Sequence, residues 1–135
     1  MPIDLMTKQG ENLTGTPWQV YPRPQMRRSS YVNLNGNWDY TVTDSDDLPA
    51  TYADSIALPF CPESQLSGIK SHPQDGKYLF YRRQFELPTD FQQGRVLLHI
   101  GAADQETFVY VNRKLCGQHT GGYDAQVYDI TDVLH

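Results

Sequence analysis

The chain lacks the long apolar run that a membrane helix requires. Such a helix needs about 18–20 consecutive apolar residues, and no run of that kind occurs among the 135 residues. The N-terminus, Met1 to Asp4, also lacks the basic segment followed by an apolar segment that marks a signal peptide. The sequence therefore predicts neither a membrane partner nor a secretory route, and we expect a cytoplasmic protein.

Basic residues are few, and the chain is short. Lysine and arginine number 11 against 16 aspartates and glutamates, which gives a net charge of -5 at pH 7. An acidic chain without a basic stripe repels phosphates, so we expect no nucleic-acid partner. A (β/α)8 barrel needs roughly 250 residues, which 135 residues do not supply. A hydrophobic content of 39% suits one folded core rather than a disordered chain.

Cysteine is scarce, and motifs for metals and cofactors are missing. Cys61 and Cys116 are the two cysteines, and they do not form the C-x-x-C spacing of a structural zinc site. Both have apolar neighbours, so we predict two free, buried thiols in a reducing compartment, with a disulfide between them as the alternative. Residues 44–47 lack the glycine and glutamate of a calcium loop. We therefore predict no metal site and no cofactor.

What the sequence does contain is alternation of apolar and polar residues in short segments, which is typical of β-strands. The strands predicted in this way are 38–42, 55–60, 78–87, 95–100, 107–111 and 114–119. Segment 78–87 carries aromatic residues on both faces, which predicts a long central strand. Proline and glycine predict an ordered loop over 61–69 and a polar loop over 70–77. This pattern predicts an all-β chain and leaves a sandwich or a barrel open.

Smaller signals complete the predicted organisation. Residues 1–30 contain no periodicity and predict an extended arm, anchored by Trp18 and Tyr21, before a domain over 31–135. Asn35-Gly36 and Asn112-Arg113 predict turns, since asparagine and glycine tolerate a positive φ. A single helical turn is expected from Asp129 to Leu134, with Asp129 as its cap.

Several motifs, taken in order, resemble one family. They are Leu34-Asn35-Gly36-Asn37-Trp38, Pro59-Phe60-Cys61-Pro62-Glu63-Ser64, Tyr81-Arg82-Arg83-Gln84-Phe85 with Pro88, Val109-Tyr110-Val111-Asn112, Gly121-Gly122-Tyr123 and Asp129-Ile130-Thr131. Together they resemble the N-terminal sugar-binding domain of family 2 glycoside hydrolases, the β-galactosidases and β-glucuronidases. The resemblance implies a jelly-roll β-sandwich that is galactose-binding-domain-like.

Two departures from the family pattern carry expectations. Arg113 stands where the family usually has glycine, which we expect to cost about 1 kcal/mol or to change the turn type. The chain stops at His135, whereas family members continue with a further strand, an immunoglobulin-like domain and a barrel. A sandwich without its final strand would leave an open sheet edge, which predicts a homo-oligomer formed through that edge.

The resemblance assigns no catalytic residue to this chain. Retaining glycosidases use two carboxylates roughly 5 Å apart, and in the family both lie in the barrel. For ligand binding we predict four residues on the loops: Glu63, Gln65, His72 and Tyr78. The alternative for Glu63 is a carboxylate that accepts loop backbone N–H groups.

Other candidate side chains are expected to serve structure. We expect Trp38 and Tyr123 to pack in the core. Arg82 and Arg83 point to opposite faces of a strand, so one is expected to pair with a carboxylate such as Asp104 or Glu86 and the other to be exposed.

The function hypothesis follows from the resemblance. We expect a non-catalytic domain of a β-galactosidase-like, retaining family 2 glycoside hydrolase, which shapes the glycoside cleft and supports the absent barrel. Its partners would be a β-glycoside and the remaining domains of the parent enzyme. The alternatives are an independent carbohydrate-binding module and an interaction domain without a ligand.

Overall fold

The computed structural model describes residues 6–20, 23, 25–26, 28–91 and 94–135. The predicted anchor Tyr21 lies outside the described residues. The elements in chain order are α1 (Lys8–Glu11), β1 (Gly36–Thr43), β2 (Asp54–Leu58), a 3-10 turn (Gln65–Ser67), β3 (Tyr78–Arg82), β4 (Leu97–Ile100), β5 (Glu106–Val111), β6 (Lys114–Thr120), β7 (Gln126–Asp129) and a second 3-10 turn (Thr131–Val133). The prediction of an all-β chain is confirmed.

The chain divides into two compact units, Met1–Glu86 and Leu87–His135. Within the first unit lies a short helix in the segment predicted to be an extended arm. The Thr7 side chain caps this helix by accepting the N–H of Gly10. The described part of the chain holds no helix with the length and apolarity of a membrane span.

The first unit is built on an antiparallel sheet in the order β2-β1-β3. Tyr40 of β1 lies opposite Asp54 on one side and Tyr81 on the other. The rings of Tyr40 and Tyr81 meet edge to face with centroids 5.2 Å apart, a favoured aromatic geometry. Tyr40 and Ile56 are almost fully buried and form the core of this unit.

The alternation predicted for β1 holds only in part. Tyr40 is buried, as the pattern predicts, but so is its neighbour Thr41. Val42, predicted to face inward, is 40% exposed. Gly36 adopts the predicted positive φ, at 124°, but as the first residue of β1 rather than within a turn.

The prediction of a long central strand over 78–87 was wrong. β3 ends at Arg82 and is an outer strand of the described sheet, with β1 at the centre. Arg83 gives the physical reason. Its guanidinium donates to the carbonyl oxygens of Asn35 and Asn37 at 3.2 and 3.3 Å. This side chain, rather than the backbone of a longer strand, satisfies those carbonyls.

Arg82 is paired across the sheet, and the predicted partners were wrong. It donates from Nε and Nη2 to one carboxylate oxygen of Asp39, at 2.9 and 2.7 Å. Asp39 lies directly opposite Arg82 in the sheet register. This cross-strand position explains why Arg82 pairs with Asp39 rather than with Asp104 or Glu86. The Arg82 guanidinium also lies over the Tyr52 ring, 4.2 Å from its centroid.

The second unit contains two antiparallel pairs, β4 with β7 and β5 with β6. Val96, Val109 and Ile130 are its buried apolar residues. Pairing of β4 with β7 places Leu98 opposite Tyr128. β7 had not been predicted from the sequence. The single turn at Thr131–Val133 is confirmed, but the prediction of Asp129 as its cap was wrong: Ile130 is the N-cap and no side chain of the described residues caps the turn. Asp129 Oδ1 instead accepts the N–H of Thr131, the first residue of the turn, at 3.1 Å.

The β5–β6 hairpin turns at Asn112 and Arg113, which both have positive φ, 48° and 65°. This is the backbone that a two-residue hairpin turn of type I′ requires. Cys116 is the extra residue of a bulge, because Val109 lies opposite Gly117 and Tyr110 lies opposite Leu115. Both cysteines are free, but the prediction that they are buried was wrong. Cys61 is exposed and Cys116 is half-buried.

Candidate functional site

The loop that follows β2 is held together by hydrogen bonds from small polar side chains. Ser64 caps the 3-10 turn by accepting the N–H of Ser67 at 3.2 Å. Ser67 is almost fully buried. Its hydroxyl lies 2.7 Å from the Ser64 carbonyl oxygen and 3.1 Å from that of Pro62, and it accepts the N–H of Ile69 at 3.0 Å. The loop is therefore a fixed platform for the side chains that it carries.

Glu63 and His72 are brought together on this loop. His72 Nδ1 lies 3.0 Å from Glu63 Oε1. A backbone bond runs beside this contact, from the N–H of Ser71 to the carbonyl of Pro62 at 3.1 Å. Two of the four predicted ligand-binding residues thus meet directly, and both are exposed to solvent.

The environment of Glu63 favours the ionised carboxylate. Its own backbone N–H lowers the pKa of Glu63 most, and hydrogen bonds from Cys61 and His72 and the charge of His72 act in the same direction, while burial opposes them. The structure therefore contains the feature of the alternative hypothesis for Glu63, in which its carboxylate accepts a backbone N–H of the loop. A charged carboxylate at the surface of an ordered loop is also a strong acceptor for hydroxyl groups.

Gln65 lies two residues beyond Glu63, in the 3-10 turn. Its Oε1 atom is buried and has no hydrogen-bond partner among the described residues. Buried amide oxygens are normally bonded, so this atom is a candidate acceptor for a ligand group. Its ligand-binding role remains a prediction, as does that of Glu63 and His72.

Tyr78 is not joined to this group by any contact in the described part of the chain. It opens β3 opposite Thr43 and is 43% exposed. Tyr78 lies three positions before Tyr81, which corresponds to about 10 Å along a strand. The structure therefore brings together Glu63 and His72, has Gln65 nearby in sequence on the same loop, and places Tyr78 on β3.

Two tyrosines that had been treated only as packing residues lie within electrostatic reach of Glu63. Burial raises the pKa of Tyr40 most, and the charges of Glu63 and Asp54 raise it further. Burial also raises the pKa of Tyr81, followed by Tyr40, Glu63 and Cys61. Both phenols therefore stay protonated beside the loop and remain hydrogen-bond donors. Tyr40 is buried and Tyr81 is 37% exposed. Their places on the strands were visible in the sequence alternation, but their closeness to the loop was not.

The chemistry available here is recognition by hydrogen bonds. Retaining hydrolysis needs a second carboxylate roughly 5 Å from the first. In the part of the chain that the structure describes, the hydrogen-bond partners of Glu63 are its own backbone, Cys61 and His72. Among the described residues, no group of three or more histidine, cysteine, aspartate or glutamate side chains could hold a metal ion.

The two aromatic residues expected in the core differ in their surroundings. Trp38 is half-buried, and its indole N–H donates to the carbonyl of Leu34 at 2.7 Å. Tyr123 is fully exposed, so its prediction as a packing residue was wrong. It follows Gly121-Gly122, and the bend at these glycines directs it into solvent.

Comparison with known proteins gives consistent relatives. The chain is 25% identical over 108 residues to a β-galactosidase of Thermoanaerobacter pseudethanolicus, a match that covers 76% of this chain and 14% of that protein. It is 26% identical over 110 residues to a β-glucuronidase of Bacteroides fragilis, a match that covers 76% of this chain and 14% of that protein. The chain thus spans about a seventh of the length of these curated relatives. No family model matches the chain.

Solved structures agree with these relatives. A Bifidobacterium dentium β-glucuronidase in complex with coumarin-3-O-glucuronide matches with a TM-score of 0.59 at 25% identity, over 79% of this chain and 20% of that one. A Faecalibacterium prausnitzii β-glucuronidase matches with a TM-score of 0.60 at 24% identity, over 86% and 20%. These similarities confirm the predicted resemblance: the chain is a family 2 glycoside hydrolase-like domain of the all-β sandwich class.

Proposed function

We propose that this chain is a non-catalytic jelly-roll domain of a β-galactosidase-like glycoside hydrolase. The proposal rests on the fraction of this chain, and of each relative, that the matches cover. Glycoside hydrolases match three quarters or more of this chain, while the chain accounts for only 14–20% of each of them. A segment of that size serves as one domain of a larger enzyme, and its role is to support the catalytic domain and to shape the glycoside cleft.

The Glu63 loop is the part of this domain that would face the cleft. Its carboxylate is ionised and exposed, and His72 and the loop backbone fix its position. Gln65, on the same loop, would supply a second acceptor if its buried and unpartnered Oε1 turned toward the ligand. Sugar hydroxyls are donors that such acceptors bind in a fixed geometry, so the loop would orient a glycoside without reacting with it.

The remaining predictions belong to this proposal. The partners would be a β-glycoside and the other domains of the parent enzyme, and a homo-oligomer through a sheet edge and a cytoplasmic location remain predictions. No residue of this chain is assigned a catalytic role. The independent carbohydrate-binding module remains an alternative, and one observation in favour of separate sugar binding is developed below.

A domain exchange tests the proposal. The matched segment of the Thermoanaerobacter β-galactosidase is replaced by this chain, and kcat and KM are measured for a nitrophenyl β-galactoside. We expect hydrolysis by the chimera and a higher KM, with little change in kcat, after Glu63→Gln, because uniform binding of substrate and transition state is lost. An active chimera whose KM is the same with Glu63→Gln and with the control Glu86→Gln would contradict a role for the loop in the cleft.

A further inference from the structure

The N-terminal segment closes a cavity over the sheet of the first unit. Its volume is about 260 Å³. Apolar walls are supplied by Leu13, Pro17, Ala57, Phe60 and Leu66, and the rest of the lining by Gly15, Thr16, Gly36 and Asn37. The four predicted ligand-binding residues all lie outside this lining, although Leu66 of the Glu63 loop forms one of its walls.

Trp18 stands at the rim of this cavity as an exposed aromatic platform. It directly follows the lining residue Pro17, and its ring lies 6.3 Å from that of Phe60, tilted by 38°. The side chain is 68% exposed. A φ of 50° is rare for a bulky residue, and here the Trp18 carbonyl is held by the Asn33 side-chain N–H at 2.6 Å. The indole is therefore positioned by its backbone and not by burial of its ring.

Glycine keeps the floor of the cavity open. A Cβ atom at Gly36 would lie 3.0 Å from Arg83 Nη1 and 3.3 Å from Thr16 Cγ2. The φ of 124° at this residue also disfavours any side chain. Arg83 is not among the described residues that line the cavity, and its Nη1 donates to the carbonyls of Asn35 and Asn37.

The polar groups of the lining suit hydroxyl recognition. The Thr16 hydroxyl and the Asn37 carboxamide form no hydrogen bond with another described residue, and both residues are exposed. Among the residues that the structure describes, those of the lining carry no ionisable side chain. Drug-sized ligands fill pockets of about 300–1,000 Å³, so a cavity just below that range admits one ring with its substituents.

We propose that this cavity binds one neutral hexopyranose ring, with its C–H face stacked on Trp18 and its hydroxyls bonded to Thr16 and Asn37. A pyranose presents an apolar face and a polar rim, which matches an aromatic platform beside a hydroxyl and an amide. The uncharged lining favours a neutral sugar over a uronate. This site does not rest on the proposed function, because neither Glu63 nor the other predicted ligand-binding residues line it.

Titration of the full chain followed by NMR tests the proposal. The chain has two tryptophans, and their indole N–H signals report separately. Methyl β-glucopyranoside and methyl β-galactopyranoside are expected to shift the Trp18 signal with a dissociation constant in the millimolar range, which is ordinary for a ligand of about a dozen heavy atoms. The Trp38 signal, whose N–H is bonded to Leu34, should stay in place. Methyl β-glucuronide should bind more weakly.

Substitutions separate this site from the Glu63 loop. Trp18→Ala is expected to weaken binding about tenfold and Trp18→Phe about threefold, because phenylalanine keeps a smaller stacking ring. Ala57→Leu fills the cavity and should abolish binding, while Tyr123→Ala, at a fully exposed aromatic, should leave the affinity unchanged. If circular dichroism shows that Ala57→Leu unfolds the chain, the affinities of the two Trp18 variants decide whether the sugar binds at this cavity.

Two results would overturn the proposal. One is an unchanged Trp18 signal with every neutral pyranoside at concentrations well above the expected dissociation constant. The other is an affinity that Trp18→Ala leaves intact. A loss of affinity with Glu63→Gln but not with Trp18→Ala would place the sugar on the loop instead. That result would support the proposed function and refute a sugar site at the cavity.

Discussion

His72 Nδ1 and Glu63 Oε1 lie 3.0 Å apart, and this contact joins the beginning and the end of the loop that follows β2. The neighbouring backbone bond from Ser71 to Pro62 closes the same pair of segments. One side-chain contact and one backbone contact thus fix the loop that carries the predicted ligand-binding carboxylate. Contacts within the chain order this loop, which would lower the cost of ordering it if it binds the proposed glycoside.

Glu63→Gln is expected to reduce the dependence of stability on pH in the acid range. The pKa of Glu63 is lower in the folded chain than in the unfolded chain. The carboxylate therefore contributes to stability above its unfolded pKa of about 4.3, and this contribution is lost as the pH falls through the folded pKa. Since the side chain is 43% exposed, the loss at neutral pH should stay below about 1 kcal/mol. Urea unfolding at neutral pH and at roughly pH 3 measures both effects.

The control for this experiment is Glu86→Gln, which replaces an exposed glutamate of the same unit. It should retain the wild-type difference between the two pH values. An equal slope of stability with pH in wild type and Glu63→Gln would show that the loop contacts do not favour the ionised carboxylate.

Ser67→Ala should destabilise the loop platform. The Ser67 hydroxyl is buried and bonds both to carbonyl oxygens and to the N–H of Ile69. Removing it takes the side-chain partner from the Ser64 carbonyl and the Ile69 N–H, while the Pro62 carbonyl keeps the N–H of Ser71. An unsatisfied buried group of this kind costs about 1–3 kcal/mol. Hydrogen exchange of residues 61–72 measures the local effect. Ser71→Ala, at an exposed serine, is the matched control, and equal exchange in the two variants would contradict the platform.

Arg113→Gly should stabilise the β5–β6 hairpin. Arg113 has a φ of 65°, a conformation that costs a residue with a Cβ about 1–2 kcal/mol and costs glycine almost nothing. Because glycine also gains freedom in the unfolded chain, the net gain should be about 0.5–1 kcal/mol. Arg113→Ala keeps the Cβ and should give no gain. Thermal or urea unfolding compares the stabilities of Arg113→Gly and Arg113→Ala. Equal stabilities would show that the positive φ at position 113 does not cost stability.

Gly117→Ala should destabilise the second unit. A Cβ at position 117 would lie 2.5 Å from Cε1 of Tyr128, so β6 and the Tyr128 ring of β7 would have to separate. Overpacking of this kind costs about 1–3 kcal/mol. Gly101→Ala is the control, since nothing lies within 4 Å of its Cβ position. A Gly117→Ala variant as stable as Gly101→Ala would mean that the Tyr128 ring is not seated on Gly117.

The sequence predicted best those elements whose signals are local. The β5–β6 hairpin follows from alternation on both sides of Asn112-Arg113, and all its pairing partners lie within 15 residues of one another. β7 was missed because its four residues carry little pattern of their own. It is a strand because it pairs with β4, about 30 residues earlier. Strand pairing over such a distance is set by tertiary contacts.

The end of β3 shows a second limit. The alternation from Tyr78 continues past Arg82, but the Arg83 side chain binds backbone carbonyls of β1 and its approach instead. Binary patterns do not show such a side-chain bond. For the site, proline and glycine in 61–69 indicated an ordered loop, while the contact between Glu63 and His72, nine residues apart, depends on how that loop folds.

The assay that tests the account most directly is glycoside hydrolysis by the purified chain. Nitrophenyl β-galactoside and nitrophenyl β-glucuronide are incubated with the 135-residue protein, and release of nitrophenol is followed across the fractions of a final sizing column. The account predicts no turnover in the fractions that contain the chain. Activity that co-elutes with it and is lost on substitution of one of its own carboxylates would contradict a non-catalytic domain.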